Sequence, residues 1–166
     1  MVDGKKVIIV TQARIGSTRF PEKILQKLGT KTLIEHHLDR LMNVKNADEL
    51  IVATTKEVGI EPLLQLLKSK GVSYYQGSTT NVLDRFYNSI ANKNPDYVVR
   101  VTSDCPLIDS ELISEIIEFT INKGFDYVSN GLEELFPDGQ DVEVFKYSAL
   151  KEAHLKVKLK SDLEHV

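Results

Sequence analysis

The chain has 166 residues, of which 42% are hydrophobic and 27% charged, and its formal net charge at pH 7 is −3. This length suits one globular domain with a proper core and would be cramped for two. The mild acidity argues against a protein that binds nucleic acid by neutralising many phosphates, and no apolar run approaches the roughly 20 residues of a membrane-spanning helix. We therefore expect a single domain over residues 1–166, with neither nucleic acid nor a membrane as its partner.

The N-terminal sequence and the cysteine content bear on the cellular compartment. MVDGKKVIIVTQAR leads directly into a predicted strand, without the apolar segment and cleavage site of an export signal. The one cysteine, Cys105, cannot form an internal disulfide. Both features favour a cytoplasmic protein.

Apolar, β-branched segments alternate along the chain with segments of helical periodicity, a pattern typical of βαβ units around a largely parallel sheet. The predicted strands are Lys6–Thr11, Leu50–Thr54, Val72–Tyr75, Tyr97–Val101, Tyr127–Ser129 and Val142–Phe145. The predicted helices are Thr32–Met42, Ile60–Lys70, Val82–Ala91, Ser110–Asn122 and Ala149–Leu159. The sequence therefore predicts an α/β fold.

Two of the predicted helices carry apolar stripes that indicate their buried faces. In the first helix the stripe consists of Leu33, His37, Leu38 and Leu41. In the fourth it consists of Leu112, Ile113, Ile116, Ile117 and Phe119. Asp109 or Ser110 is predicted to cap the N-terminus of this fourth helix.

The first candidate site is the loop after the first strand, QARIGSTRFPEK, at the end of the strand where open α/β sheets bind ligands. Arg14, Arg19 and Lys23 offer cations suited to phosphate oxygens, and Gly16 lets backbone N–H groups turn toward an anion. The spacing matches neither a Walker A loop nor a dinucleotide fingerprint. A solvated basic loop is the alternative. We favour phosphate binding, because three neighbouring cations would otherwise repel one another without benefit.

A second candidate follows the strand VVRVT, where Asp104 stands in a turn. A carboxylate at this position suits Mg²⁺, which proteins usually hold through one or two carboxylates together with substrate phosphates. A turn or capping role explains Asp104 equally well. We assign Asp109 mainly to capping.

A third candidate lies in FPDGQDVEVF, where Asp141 and Glu143 alternate with apolar residues on a predicted strand. Period 2 places both carboxylates on one face, which is unfavourable unless a metal or a basic substrate group lies between them. Solvent exposure explains the two residues equally well.

A fourth stretch, GSTTNVLDRFY, is predicted to be a loop that leads into a helix N-terminus, a place that attracts phosphate. Asp84 and Arg85 lie near the first turn. The alternative to ligand binding is a pair that anchors the loop or stabilises the helix.

Four ordered strings now identify a resemblance that spans nearly the whole chain: VTQARIGSTRFPEKIL, GSTTNVLDRFYNSI, VVRVTSDCPLID and FPDGQDVEVF. Together they resemble the spore-coat polysaccharide cytidylyltransferases, relatives of the CMP-sugar synthetases that activate ketodeoxyoctonate and sialic acids. The family commonly has a small residue where this chain has Glu22, and it normally continues beyond the point where this chain ends.

The resemblance implies a three-layer α/β/α sandwich with a mostly parallel sheet, the Rossmann-like GT-A fold of nucleotide-diphospho-sugar transferases. It implies CTP as donor, Mg²⁺ as cofactor, and attack by a sugar hydroxyl on the α-phosphorus with pyrophosphate leaving. Arg14, Lys23 and Asp104 would be catalytic, and Asp104 and Asp141 would serve the metal. The residues that would lie at the nucleotide are Gln12, Ala13, Arg14, Gly16, Ser17, Arg19, Lys23, Thr54, Thr55, Asp84 and Arg85.

The partners implied are therefore a nucleotide and a small sugar, and a homodimer is one assembly that the resemblance allows. Two other functions are weighed beside the cytidylyltransferase. One is a non-catalytic module that binds a nucleotide sugar. The other is a glycosyltransferase of the same fold, although Asp104-Cys105-Pro106 lacks the paired carboxylates usual in that class.

Overall fold

A computed structural model describes residues 2–16, 20, 22–133, 135–157, 159 and 163 of the chain. Ser17 and Arg19, both predicted at the nucleotide, lie outside the described residues. The strands are β1 Val7–Gln12, β2 Lys27–Leu28, β3 Lys31–Thr32, β4 Glu49–Thr55, β5 Ser73–Gly77, β6 Tyr97–Thr102, β7 Tyr127–Ser129 and β8 Glu143–Lys146. The helices are α1 Leu33–Leu41, α2 Glu61–Ser69, α3 Val82–Ile90, α4 Ser110–Lys123 and α5 Tyr147–Lys156, with a short 3₁₀ helix at Lys23–Leu25.

Six strands form the main sheet in the order β5-β4-β1-β6-β8-β7. β1 pairs in parallel with β4 and β6, and β4 pairs in parallel with β5. β8 is antiparallel to both of its neighbours, β6 and β7. The mostly parallel sheet predicted from the sequence is therefore confirmed. The small antiparallel hairpin of β2 and β3 was not predicted.

Apolar side chains on the two faces of the sheet pack against different helices. Residues such as Ile9 and Val52 face α1, α2 and α4. Ile8 and Ile51 precede Ile9 and Val52 in the same strands and face the opposite way. They pack with α3 and α5. The alternating side chains of buried strands thus produce helices on both faces, which is the predicted three-layer α/β/α sandwich.

The buried face of α4 differs from the predicted stripe. Phe119 was predicted to be buried, but it is 50% exposed and contacts the ring of Phe125 with a centroid separation of 5.8 Å. Ser114 and Thr120 are buried instead, and their hydroxyls donate to the carbonyls one turn back at 2.7 Å each. Because the helix itself satisfies these hydroxyls, they can occupy an apolar face. Periodicity of apolar residues alone could not show this.

The ends of α1 and α4 follow local sequence rules. Thr32 and Glu35 form a reciprocal capping box at the start of α1. Within this helix Ile34, rather than the predicted Leu33, faces the core. The Asp109 side chain accepts from the first backbone N–H groups of α4, which confirms its predicted capping role. None of the described helices is long and apolar enough to cross a membrane.

Candidate functional site

The strand order places the candidate site at the carboxyl edge of the sheet, between β1 and β6. The chain leaves β1 through α1 to reach β4 on one side, and it returns through α3 on the opposite face to reach β6 on the other side. Such a reversal opens a crevice at the carboxyl ends of the two central strands, where open α/β sheets bind their ligands. The predicted phosphate loop follows β1 and the predicted metal aspartate follows β6.

Lys23 and Asp104 meet across this crevice, although they are 81 residues apart in the chain. The Lys23 ammonium donates to Oδ2 of Asp104 at 2.7 Å, and the side chains are 39% and 44% exposed. Burial alone would raise the pKa of Asp104, but the hydrogen bond and charge of Lys23 outweigh it and hold this pKa below its usual value. An ion pair this exposed adds little to the stability of the fold. The pair is therefore of interest for its position at the crevice rather than for its contribution to folding.

A buried histidine joins α1 to the ends of both central strands. His37 is fully buried, with Nε2 3.0 Å from Oγ1 of Thr11 and Nδ1 3.0 Å from the carbonyl oxygen of Cys105. Cys105 directly follows Asp104 in the chain, so the contact between His37 and the Cys105 carbonyl holds the turn that carries the Asp104 carboxylate. Burial lowers the pKa of His37, against the opposing effects of the Cys105 carbonyl and the Asp104 charge.

This lowered pKa predicts an acid-sensitive contribution to stability. Between the folded-state pKa of His37 and its ordinary value of 6.5, the unfolded chain binds the proton and the folded protein does not. The free energy of unfolding should therefore fall as the pH drops below 6.5, by up to about 1.4 kcal/mol per unit of pH within that window. Urea denaturation of the wild type and His37→Gln at several pH values measures it. Equal slopes in the two proteins would contradict the assignment.

Six buried side-chain N and O atoms have no hydrogen-bond partner among the described residues, and two of the six belong to Arg100 and His154. The other four lie near the carboxyl edge. They are Nε2 of Gln12, Oγ1 of Thr54, Oγ1 of Thr55 and Nε of Arg85. All four residues were predicted at the nucleotide. Burying a polar group without a partner is unfavourable, so a set of such groups at a ligand-binding edge favours a polar ligand that pairs with them.

Arg85 is the most unusual of the four, because it is a charged residue that is only 3% exposed. It donates to the carbonyl of Ser78, and burial together with the like charge of Arg14 lowers its pKa. A Cβ at Gly77 would lie 2.8 Å from Cγ of Arg85 and 2.8 Å from Cε1 of Tyr75. Only glycine at position 77 therefore leaves room for Arg85 in its buried place.

Asp84, the neighbour of Arg85, has contacts within the protein. Its Oδ1 accepts from Nδ2 of Asn88 at 2.9 Å and lies 3.1 Å from Nε2 of His154. The His154 ring also stacks on Tyr87, with centroids 4.2 Å apart. The contact with Asn88 corresponds to the helix-stabilising alternative for Asp84, and the contact with His154 joins α5 to α3.

The loop after β1 contains residues of contrasting exposure. Ala13 is buried and its N–H donates to the carbonyl of Ala53 at 3.2 Å, whereas Arg14 and Gly16 are exposed. A residue that the sequence analysis missed lies against this loop. Oε1 of Glu57 accepts from the N–H groups of Ile15 at 2.8 Å and Gly16 at 3.2 Å. Glu57 lies two positions after the end of β4, and an acidic residue at such a position was the signal by which the sequence could have indicated it.

The two carboxylates predicted on one face of a strand have separate surroundings. Glu143 begins β8 and pairs with Arg100, and the Tyr127 hydroxyl donates to it at 2.7 Å. The cation beside Glu143 is thus Arg100, an arginine of the protein, which neither of the two explanations left open by the sequence included. Asp141 precedes the strand and is exposed.

Asp104 and Asp141 both approach the thiol of Cys105. Burial raises the pKa of Cys105, and the charges of Asp104, Asp141 and Asp138 raise it further. Within the described part of the chain, no three His, Cys, Asp or Glu side chains are grouped to hold a metal by themselves. Mg²⁺ is commonly held by one or two carboxylates, with substrate phosphates and water completing its shell, so the metal role of Asp104 and Asp141 stays a prediction.

The crevice at the switch point holds cations, a carboxylate and buried polar groups that have no partner among the described residues. These features are typical of α/β proteins that bind polar ligands at the carboxyl edge of the sheet. Residues 7–164 match the family model described as Cytidylyltransferase. The chain therefore belongs to the cytidylyltransferase family, as the resemblance of its motifs indicated.

Individual relatives agree with this assignment. The chain is 41% identical over 161 residues to an uncharacterised protein of Methanocaldococcus jannaschii, covering 97% of this chain and 65% of that protein. It is 33% identical over 125 residues to a spore coat polysaccharide biosynthesis protein of Bacillus subtilis, covering 73% and 52%. A solved cytidylyltransferase structure from Leptospira borgpetersenii superposes with a TM-score of 0.91 and 34% identity, covering 97% of this chain and 68% of that one. The chain thus spans about half to two thirds of the length of the curated relatives it matches.

Proposed function

We propose that this chain carries the nucleotide-binding and catalytic core of an enzyme that transfers CMP from CTP to an acidic or modified sugar, with release of pyrophosphate. The observation that carries the proposal is the Lys23–Asp104 pair, which sets a cation and a carboxylate 2.7 Å apart at the switch point. The unpaired polar atoms of Gln12, Thr54 and Arg85 lie toward the same edge. Surface polysaccharide synthesis is the process in which we place it, and the cytoplasm is the compartment.

In this reaction the sugar hydroxyl oxygen forms a bond to the α-phosphorus and its proton passes to solvent. The bond between that phosphorus and the oxygen bridging to the β-phosphate breaks, and pyrophosphate leaves. Negative charge grows on the phosphate oxygens, and cations fixed beside them lower the barrier. Among the described residues of the loop, Arg14 is exposed and Lys23 is half-buried in its pair with Asp104. We assign Arg19 to the same role by its position in the motif.

Lys23 would exchange partners during ligand binding. In the free protein its ammonium is held by Asp104, which keeps the side chain extended toward the crevice. A triphosphate offers it more negative charge than one carboxylate does, and the released Asp104, with Asp141, would then hold Mg²⁺. When bound, that ion would neutralise charge on the phosphate oxygens.

Nucleotide titration tests the proposal. We expect calorimetry to show binding of CTP that requires Mg²⁺ and exceeds binding of UTP, ATP and GTP, with loss of at least about tenfold in affinity for Asp104→Ala. Asp126→Ala is the matched control, because Asp126 is an 80% exposed carboxylate paired with Lys146 near the start of β7. Absence of nucleotide binding by the folded wild type would contradict the proposal.

A second candidate is the non-catalytic alternative, a module that binds the nucleotide without transferring it. The two functions differ in one product. Addition of ketodeoxyoctonate and CTP should release pyrophosphate only if the chain carries out the transfer. Binding of CTP without pyrophosphate release, across a panel of acidic sugars, would favour the module.

A further inference from the structure

The carboxylate of Glu57 lies where the sequence predicted a ligand anion. Its Oε1 accepts from two consecutive backbone N–H groups, 2.8 Å from Ile15 N and 3.2 Å from Gly16 N. A Cβ at Gly16 would stand 2.6 Å from Oε2 of the same carboxylate. Gly16 therefore admits Glu57 to the loop, and two donors expected to serve phosphate already have a partner.

The loops that carry these residues are packed together, as expected for a permanent contact. Ile15 is buried with 7% exposure, and a Cβ at Gly59, in the loop after β4, would lie 3.5 Å from Cδ1 of Ile15. Two hydrogen bonds to a charged acceptor are among the stronger contacts available to a partly exposed loop.

Hydrogen bonds connect Glu57 to the catalytic lysine. The carbonyl of Ile15 accepts from the N–H of Glu22 at 3.1 Å, so the loop is closed between its two ends. Glu22 has a left-handed backbone with φ of 52° and directly precedes Lys23, whose ammonium reaches Asp104. Glu57 thus holds the backbone of Ile15, and Ile15 in turn holds the backbone of Glu22. Because Glu22 directly precedes Lys23, these contacts position the backbone that carries the Lys23 side chain.

The charge of Glu57 also acts on Arg85. Burial and the like charge of Arg14 lower the pKa of Arg85, while the charge of Glu57 opposes this shift. This electrostatic effect is separate from the two hydrogen bonds that Glu57 accepts from the loop.

We propose that Glu57 is a positioning residue that holds the loop after β1 in its ligand-ready form, so that the side chains of Arg14 and Lys23, rather than the N–H groups of Ile15 and Gly16, contact the phosphates. This inference rests on the proposed function for its effect on CTP. Its structural part concerns the free protein and can be tested without nucleotide.

Two variants separate the hydrogen bonds from the charge. Glu57→Ala removes both, and we expect about tenfold weaker CTP binding with faster amide hydrogen exchange at residues 13–16 and 22–25. Glu57→Gln keeps an oxygen that can accept both N–H groups, so its CTP affinity and exchange should stay within about threefold of wild type. Glu61→Ala removes an exposed carboxylate at the start of α2 and is the matched control.

The outcomes distinguish the two ideas. CTP binding by Glu57→Ala that equals or exceeds wild type would overturn the positioning role, because the carboxylate would then be a displaceable substitute for phosphate or irrelevant. Equal losses in both Glu57 variants would also overturn it, since charge would be responsible. If the wild type binds no CTP, the proposed function fails but the positioning role can still be tested by hydrogen exchange. In that case, amide exchange in Glu57→Ala that equals exchange in the wild type would overturn the positioning role.

Discussion

Replacing Lys23 by methionine is expected to lower the rate of pyrophosphate release by about 100-fold or more, because one fixed cation on a phosphate group is typically worth this much. The loss should appear mainly in kcat, since charge on the phosphate oxygens grows toward the transition state. Steady-state kinetics with CTP and the acceptor sugar measures the effect.

The same change should hardly affect folding. The Lys23–Asp104 pair is about 40% exposed on each side, and such pairs contribute at most about 1 kcal/mol. Lys5→Met is the matched control, because Lys5 and Asp96 form a pair of similar exposure at 3.0 Å, just before β1 and β6 begin. Wild-type kinetics in Lys23→Met, or an equal kinetic loss in Lys5→Met, would show that Lys23 has no special part in the reaction.

Replacing Arg85 by methionine should change binding and stability in opposite directions. CTP affinity is expected to fall about tenfold or more, whereas the free energy of unfolding should rise by about 1 kcal/mol. Arg85 forms no ion pair within the described part of the chain, and burial together with the like charge of Arg14 lowers its pKa although the charge of Glu57 opposes the shift. A buried group of this kind lowers stability and is retained where a ligand needs it.

Arg100→Met is the matched control for this prediction. Arg100 pairs with Glu143, whose side chain is 19% exposed, so removal of the arginine leaves that carboxylate without its cation. We expect a loss of about 2 kcal/mol, the opposite sign to Arg85→Met. Urea denaturation compares the two, and calorimetry measures CTP binding. A similar destabilisation in both variants would mean that Arg85 serves the fold rather than a ligand.

Much of the architecture could be predicted from local patterns. The six predicted main-sheet strands and five helices all occur, with boundaries that differ by at most three residues. Tyr127–Ser129 was predicted with its observed bounds even though β7 is short. Alternating burial and helical periodicity are properties of neighbouring residues, so they can be read without knowledge of the fold. The hairpin of β2 and β3 was missed because strands of two residues have no periodicity.

The candidate site was predicted less completely. The motifs indicated Arg14, Lys23 and Asp104, and they also indicated Thr54, Thr55 and Arg85. The roles of Glu57 and His37 were missed, because nothing in the residues next to them shows that Glu57 meets Ile15 or that His37 meets the carbonyl of Cys105. The partner of Glu143 was not predicted for the same reason, since Arg100 lies on a neighbouring strand.

The order of strands and helices along the chain, the α/β class and membership of the cytidylyltransferase family could be predicted, because they depend on local periodicity and on short motifs. The pairing of charged groups became visible only in the folded chain: Lys23 with Asp104, Glu57 with the loop after β1, and Arg100 with Glu143. These pairs join segments separated by tens of residues. Their meeting depends on strand order and register, which follow from packing of the whole core and not from any one segment.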